Sequence, residues 1–173
     1  MVDTTPGVAP APASSEAPPA LRACLFSLGG YAFAVDVRSA REVAVFDEIT
    51  LVPRARRHLV GVSNLRGAIV PIVDIRSALG LEEARPGRSV RTLVVRDGAL
   101  VVAAMVDSVL GLEPFDAVLP ADTPVAARAR GACPFATGWI NWAGEVVPVL
   151  DIPRLLAALR TPASVVAPGQ GVA

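Results

Sequence analysis

The sequence predicts a mainly β protein: two pseudo-symmetric, five-stranded β-barrel subdomains, each with a short capping helix. Three observations predict it. Residues 61–79 read GVSNLRGAIVPIVDIRSAL, and a shift of 77 positions brings up GWINWAGEVVPVLDIPRLL at 138–156. Eight of the nineteen positions are identical, among them Gly61/Gly138, Asn64/Asn141, Gly67/Gly144, Pro71/Pro148 and Asp74/Asp151. Two copies are too few for a solenoid and point to paired subdomains. The apolar segments, secondly, are short, rich in β-branched residues and separated by glycine-bearing turns. Thirdly, five short strands per half would leave an open sheet with unprotected edges, which closure into a small barrel removes.

Taken in order, residues 1–20 hold Pro6, Pro10, Pro12, Pro18 and Pro19 among Ala, Ser and Thr, and are expected to be a disordered tail. From Arg22 the runs ACLFSL and YAFAVDV flank Gly29-Gly30, a hairpin signal. Residues 38–43 are expected to make one helical turn leading into the strand REVAVF. Pro53 and the basic cluster Arg54, Arg56 and Arg57 mark a solvated loop. In each hub the Asn-Leu-Arg-Gly or Asn-Trp-Ala-Gly stretch makes a tight turn, with the glycine free to take positive φ. The strand AIVPIV, or EVVPVL, follows; its Pro cannot donate to a ladder and is expected at an edge or a bulge. Asp74 and Asp151 stand where an N-cap accepts from free N–H groups, ahead of the helices IRSALG and IPRLLAALR. Pro153 suits the start of the second and Gly80 stops the first.

Residues 82–91 form a charged connector. The opening pattern then recurs as TLVVR, Asp97-Gly98 and ALVVAAMVDSVLGL. A polar, Ala-rich loop at 114–130 precedes the second hub, and a second disordered tail is expected at 161–173. The predicted organisation is one domain at 21–160. Its first barrel covers about 21–81 and its second about 90–160, with strands free to swap at the junction.

Composition narrows the function. Sixteen basic and sixteen acidic residues cancel, which argues against nucleic-acid binding driven by counterion release. Every basic residue is Arg. The longest apolar run, 99–106, is far short of the roughly 20 residues of a membrane span, and no secretory signal pattern opens the chain. A soluble, cytoplasmic protein without direct membrane insertion is expected. Cys24 and Cys133 lack CxxC spacing and read as small buried hydrophobes.

No catalytic constellation assembles, and no cofactor is implied. His58 is the only histidine and has no companion ligands for a metal. No P-loop, dinucleotide fingerprint or nucleophile elbow is present. Asp74 and Asp151 could form a carboxylate dyad in a small hydrolase or ligand-binding barrel, but helix capping accounts for both. What remains is a surface. Arg66 lies where the second hub has Ala143, so the turn itself does not require a guanidinium. It is expected to be exposed or paired with a carboxylate such as Glu42 or Asp74, and to serve as a salt bridge or an interface anchor. Trp139 and Trp142, at the positions of Val62 and Leu65, are expected to fill a core.

The string FAVDVRSAREV, ITLVP, GVSNLRGAIVPIVDIRSALG and VVAAMVDSVLGL resembles the CheW-like family of bacterial chemotaxis adaptors from about Leu25 to Leu159. The resemblance implies a pair of small SH3-like barrels and a non-catalytic scaffold. Such a scaffold couples the cytoplasmic tips of methyl-accepting chemoreceptors to the regulatory domain of a CheA-type histidine kinase in a signalling array. Carried over by position, the receptor-binding groove would include Glu42, Val43, Asn64, Arg66, Gly67, Val106 and Val109. The kinase contact would use the barrel ends, with no residue assigned. Ala40 and Ala103 replace the Val and Gly common in the family, and GWINWAG is more aromatic than usual. These departures leave room for a divergent paralogue that binds a receptor but not the kinase, in a pathway other than flagellar chemotaxis.

Overall fold

The computed structural model describes residues 21–83, 87, 89–115, 119–120 and 133–160. Both tails, part of the 82–91 connector and most of the 114–130 loop lie outside the described residues. The chain forms β1 (Leu21–Leu28), β2 (Tyr31–Asp36), β3 (Ala40–Phe46), β4 (Leu59–Leu65), β5 (Ala68–Val73), a 3-10 turn (Ser77–Leu79), β6 (Val90–Asp97), β7 (Leu100–Met105), β8 (Ser108–Phe115), β9 (Leu119–Pro120), β10 (Ala136–Trp142), β11 (Glu145–Leu150) and α1 (Ile152–Arg160).

One sheet runs β3-β6-β7-β5-β4 and the other β8-β1-β2-β11-β10-β9. The first five strands of the second sheet repeat the first in the same order, so the pseudo-symmetry extends beyond the hubs to the whole architecture. The sheets do not follow the chain halves. Hub strand β5 pairs in parallel with β7, Ile72 opposite Ala103, and hub strand β11 with β2, Val149 opposite Ala34. Each hub therefore joins the opening hairpin of the other half, and neither 21–81 nor 90–160 is a barrel by itself.

Closure uses the same device twice. Beyond β3, Thr50 bridges Val62 of β4 at the far edge of its sheet, with two N–H···O bonds of 2.9 Å. Beyond β8, β9 pairs with β10, Leu119 opposite Trp139, at the far edge of the other. Gly61 makes the first closure possible. A Cβ there would lie 2.5 Å from Ile49 Cγ2 and 2.6 Å from the Thr50 carbonyl oxygen. Both hub hairpins bulge at this point, between Leu59 and Gly61 and between Ala136 and Gly138.

Three apolar clusters fill the body. Phe46, Val70, Ile72, Val94, Ala103 and Met105 fill the first barrel, and Leu25, Ala34, Ile140, Val147 and Val149 the second. The largest cluster lies between them. It takes Phe26 and Leu28 of β1, Phe33 and Val35 of β2, Leu93 and Val95 of β6, Val102 and Ala104 of β7, and Ile152, Leu155, Leu156 and Leu159 of α1. The β1–β2 and β6–β7 hairpins are thus buried on both faces. That is why ACLF and LVVAAM read as unbroken apolar runs rather than as alternation. Phe26 and Phe33, opposite each other in the register, stack at 5.7 Å. Cys24 and Cys133 are buried in the central cluster, and burial pushes both thiols up.

Several local expectations shift. Pro71 and Pro148 lie on internal strands, not edges. Each precedes by one residue the point where the short parallel ladder begins, so the missing N–H leaves no long ladder broken. Residues 38–43 do not form a helical turn, because β3 already begins at Ala40. The first capping helix contracts to the 3-10 turn, ended by Gly80 at φ 73°, while α1 spans IPRLLAALR as expected. Asp151 caps α1 as expected, accepting from the Arg154 N–H at 3.0 Å, whereas Asp74 accepts from the Arg76 N–H at 2.9 Å in the turn ahead of the 3-10 segment, whose N-cap is Arg76 without a side-chain cap bond. Trp139 is buried in the central cluster, and Trp142 packs half-buried against the second-barrel core.

The 51–58 loop is solvated as expected, with Arg54, Arg56 and Arg57 all exposed, yet one of these arginines also holds a helix end. Arg56 donates to the carbonyls of Leu159 and Arg160, at 3.2 and 2.5 Å, satisfying acceptors that the end of α1 leaves free. His58, half-buried beside it, has its pKa pushed down. Burial is the main cause, and the Arg56 charge adds to it against a hydrogen bond to the Leu159 backbone.

Two outcomes are expected in denaturant unfolding. Gly61→Ala should cost about 1–3 kcal/mol, as overpacking against backbone generally does, and an unchanged midpoint would mean that the closure yields freely. A histidine whose pKa is lowered on folding is protonated more readily in the unfolded chain. Its contribution is complete above the ordinary value of about 6.5 and declines as pH falls through that value toward the lowered one. His58→Gln should therefore flatten the stability–pH curve in that window.

A candidate binding groove between the barrels

Strand register decides which side chains border the central cluster. In β3, Val43 lies opposite Leu93 and Val45 opposite Arg91. Leu93 belongs to the central cluster, so Val43 and Val45, two apart and on one face, border it. In β8, Val109 lies opposite Phe26 and Leu112 opposite Cys24, both central residues. Because β3 and β8 are the outermost members of their ladders, these side chains are only partly covered. Val43 is 48 %, Val45 54 % and Leu112 52 % exposed, and Val109 is half-buried. The strips converge at Arg91, beside Val45, whose Nη1 donates to the Asp107 carbonyl at 2.9 Å, next to the start of β8.

The remaining predicted residues lie elsewhere. Val106 is buried in the central cluster and supports the strips from beneath, offering no contact area. Glu42, Asn64, Arg66 and Gly67 meet at the mouth of the first barrel. Arg66 occupies a positive φ of 53° and Gly67 one of 88° in the β4–β5 turn, and the Asn64 Oδ1 accepts from the Gly67 N–H at 2.7 Å. The Arg66 Nη2 pairs with the Glu42 Oε2 at 2.7 Å, its side chain 80 % exposed. Ala143 holds the matching φ of 51° in the second hub, so backbone geometry is shared and only the charge is particular to the first. The pair borders a cleft of about 560 Å³ with Arg41, Leu65, Ile69 and Leu100.

Register also recovers residues that the sequence reading passed over. Val45 follows from the period of two on β3. Leu112 follows from the second repeat, in which the β1–β2 and β6–β7 hairpins superpose at a shift of 69 and place Leu112 on Val43. Arg76 ends the hub motif VPIVDIR, which marks the family resemblance but gives the residue no role. It is buried, with Nη1 at 3.2 Å from the Asp74 Oδ2 and Nη2 at 2.5 Å from the Asp107 Oδ1. The other Asp107 oxygen accepts from the Gly29 N–H at 2.6 Å.

The CheW-like domain model matches residues 22–130. The chain belongs to the CheW-like family. Among its relatives, the probable chemotaxis protein CheW of Rhizobium etli is 34 % identical over 84 residues, covering 49 % of this chain and 54 % of that protein. This chain thus spans about half the length of that relative. Chemotaxis protein CheW of Klebsiella aerogenes is 27 % identical over 134 residues, 78 % of this chain and 80 % of the relative. Protein FrzA of Myxococcus xanthus is 30 % identical over 139 residues, 78 % and 84 %. The scaffolding protein TtCheW from Thermoanaerobacter tengcongensis shares the fold, with a TM-score of 0.64 at 22 % identity over 79 % of this chain and 92 % of that one. Both CheW-like barrels are therefore expected features of the family fold. Among the described residues no helix is long and apolar enough to cross a membrane.

Since Arg66 is so exposed and Ala143 adopts the same turn, Arg66→Ala should lower stability by no more than about 0.2–1 kcal/mol, the range of exposed ion pairs. A thermal melt displaced well beyond that would make the pair structural.

Proposed function

We propose that this CheW-like chain is a non-catalytic cytoplasmic adaptor. It seats the helical cytoplasmic tip of a chemoreceptor between the β3 and β8 strips and presents its barrel ends to the regulatory domain of a CheA-type histidine kinase. The observation that carries this reading is the pair of apolar strips, Val43/Val45 and Val109/Leu112, flanking one core from pseudo-equivalent strands. Exposed apolar side chains in a continuous patch mark interaction sites on soluble proteins. Glu42, Asn64, Arg66 and Gly67 form a polar rim beside β3, and Val106 holds the floor. The relatives named for chemotaxis and scaffolding support the same reading.

A second reading, a paralogue that engages a receptor but not the kinase in a non-flagellar pathway, draws on the similarity to FrzA and on Ala40, which reduces the apolar area beside β3. Titration calorimetry separates the two. A receptor-tip fragment and a kinase regulatory domain should each bind the wild-type chain. Val43→Asp and Leu112→Asp should weaken the receptor fragment ten-fold or more while leaving the kinase domain bound. Receptor binding without kinase binding favours the paralogue, and loss of neither on strip substitution sinks the groove.

A further inference from the structure

We propose that Arg76 is a positioning residue for the groove. Held between Asp74 and Asp107, its guanidinium pins the root of β8 to the first barrel and so fixes the wall that carries Val109 and Leu112. The inference rests on the groove assignment above and adds a residue that cannot itself touch a partner, since its side chain is only 7 % exposed.

The connections are specific. Asp74 belongs to the turn that follows β5, in the first barrel. Asp107 stands immediately before β8, the outer strand next to β1 in the second sheet. Arg76 bridges the two carboxylates at 3.2 and 2.5 Å. Through its second oxygen Asp107 also holds the Gly29 N–H in the β1–β2 turn, and its own N–H donates to the Ser27 carbonyl at 2.9 Å. Ser27 and Ser108 add a hydroxyl–hydroxyl contact of 2.7 Å. The root of β8 is thus tied to both barrels, with Arg76 as the buried guanidinium in the set and Arg91, which donates to the Asp107 carbonyl at 2.9 Å, as an exposed one.

Among the described residues the second copy has no such device. Pro153 stands where the first hub has Arg76, and Arg38 stands where the repeat places Asp107. Among the described residues Arg38 pairs with Asp36, two residues away, at 82 % and 32 % exposure. The β3 root is held by a backbone bond from the Arg96 N–H to the Ser39 carbonyl at 2.8 Å and by this exposed local pair, while the β8 root adds a buried guanidinium.

Hydrogen exchange on the full chain without partner tests the pin directly, and binding of a receptor-tip fragment tests its consequence. In Arg76→Gln, the Gly29 amide and the amides from 107 to 112 should exchange ten-fold or more faster than in wild type, with β10 and β11 unchanged. The fragment should bind ten-fold or more weakly. Arg76→Lys, which keeps the charge, should recover part of both. Unaltered exchange at these amides, a uniform rise over all strands, or a Lys variant indistinguishable from Gln in both measurements overturns the proposal. If Arg76→Gln does not fold, Asp107→Asn, at a half-exposed side chain, carries the same comparison. Wild-type chain that binds no receptor fragment, or Leu112→Ala that binds as wild type, would defeat the groove reading, while the exchange data still decide whether Arg76 pins β8.

Discussion

Burial of two hairpins on both faces is the constraint from which the rest of the structure follows. A strand in a small barrel ordinarily offers one face to a core and the other to water. Here β1, β2, β6 and β7 give their second face to a shared cluster, so the barrels cannot be separated without exposing Phe26, Phe33, Leu93 and their neighbours. Fully burying side chains of this kind contributes about 1.5–3 kcal/mol each, so a central cluster of this size outweighs any surface ion pair. Exchange of hairpins between the halves adds covalent crossover to this packing, since each hub completes the sheet of the opposite hairpin.

The same constraint leaves β3 and β8 where a partner can reach them. They are the neighbours of β6 and β1, and their apolar side chains continue the face that the inner strands bury. No additional element covers that continuation among the described residues. An exposed apolar strip is therefore a consequence of building two barrels around one core, and duplication supplies it twice.

Much of this was legible in the residues. The hub repeat, its Gly67 and Gly144 turns and the Asp151 cap are local features, dictated by φ preferences and by unsatisfied N–H groups, and each stands as expected, while Asp74 closes a turn ahead of the 3-10 segment instead of capping it. A strand swap at the junction was allowed for, but which strands exchange was not legible, because Ile72 pairing with Ala103 is decided by packing between segments distant in sequence. Pro71 was expected at an edge or a bulge for the same reason: a rule about one strand does not say where its neighbour's ladder begins. Of the site, Val43, Glu42 and Arg66 could be named from a family pattern. The division of the predicted set into a strip, a barrel mouth and a buried support needed the register. Arg56 stood in a basic cluster and Arg76 at the end of the hub motif, but what each holds is set by its partners, the α1 carbonyls and two aspartates.

Departures from the repeat are where specificity enters a duplicated fold. Arg66 against Ala143 leaves the turn unchanged, with φ values of 53° and 51°, and adds a charge to one barrel mouth only. Arg76 against Pro153 exchanges a residue that begins a capped helix well for one that pairs with the neighbouring Asp74 and reaches Asp107 at the root of β8. Neither change is needed for the barrel, since the other copy folds without it. A perfectly symmetric pair of walls would offer the partner proposed above two equivalent registers. Under that proposal, one charged mouth and one anchored wall would remove the degeneracy, by the logic through which polar asymmetry fixes register in coiled coils. The core sets how far apart the walls stand, and the few residues that break the repeat make the two walls different.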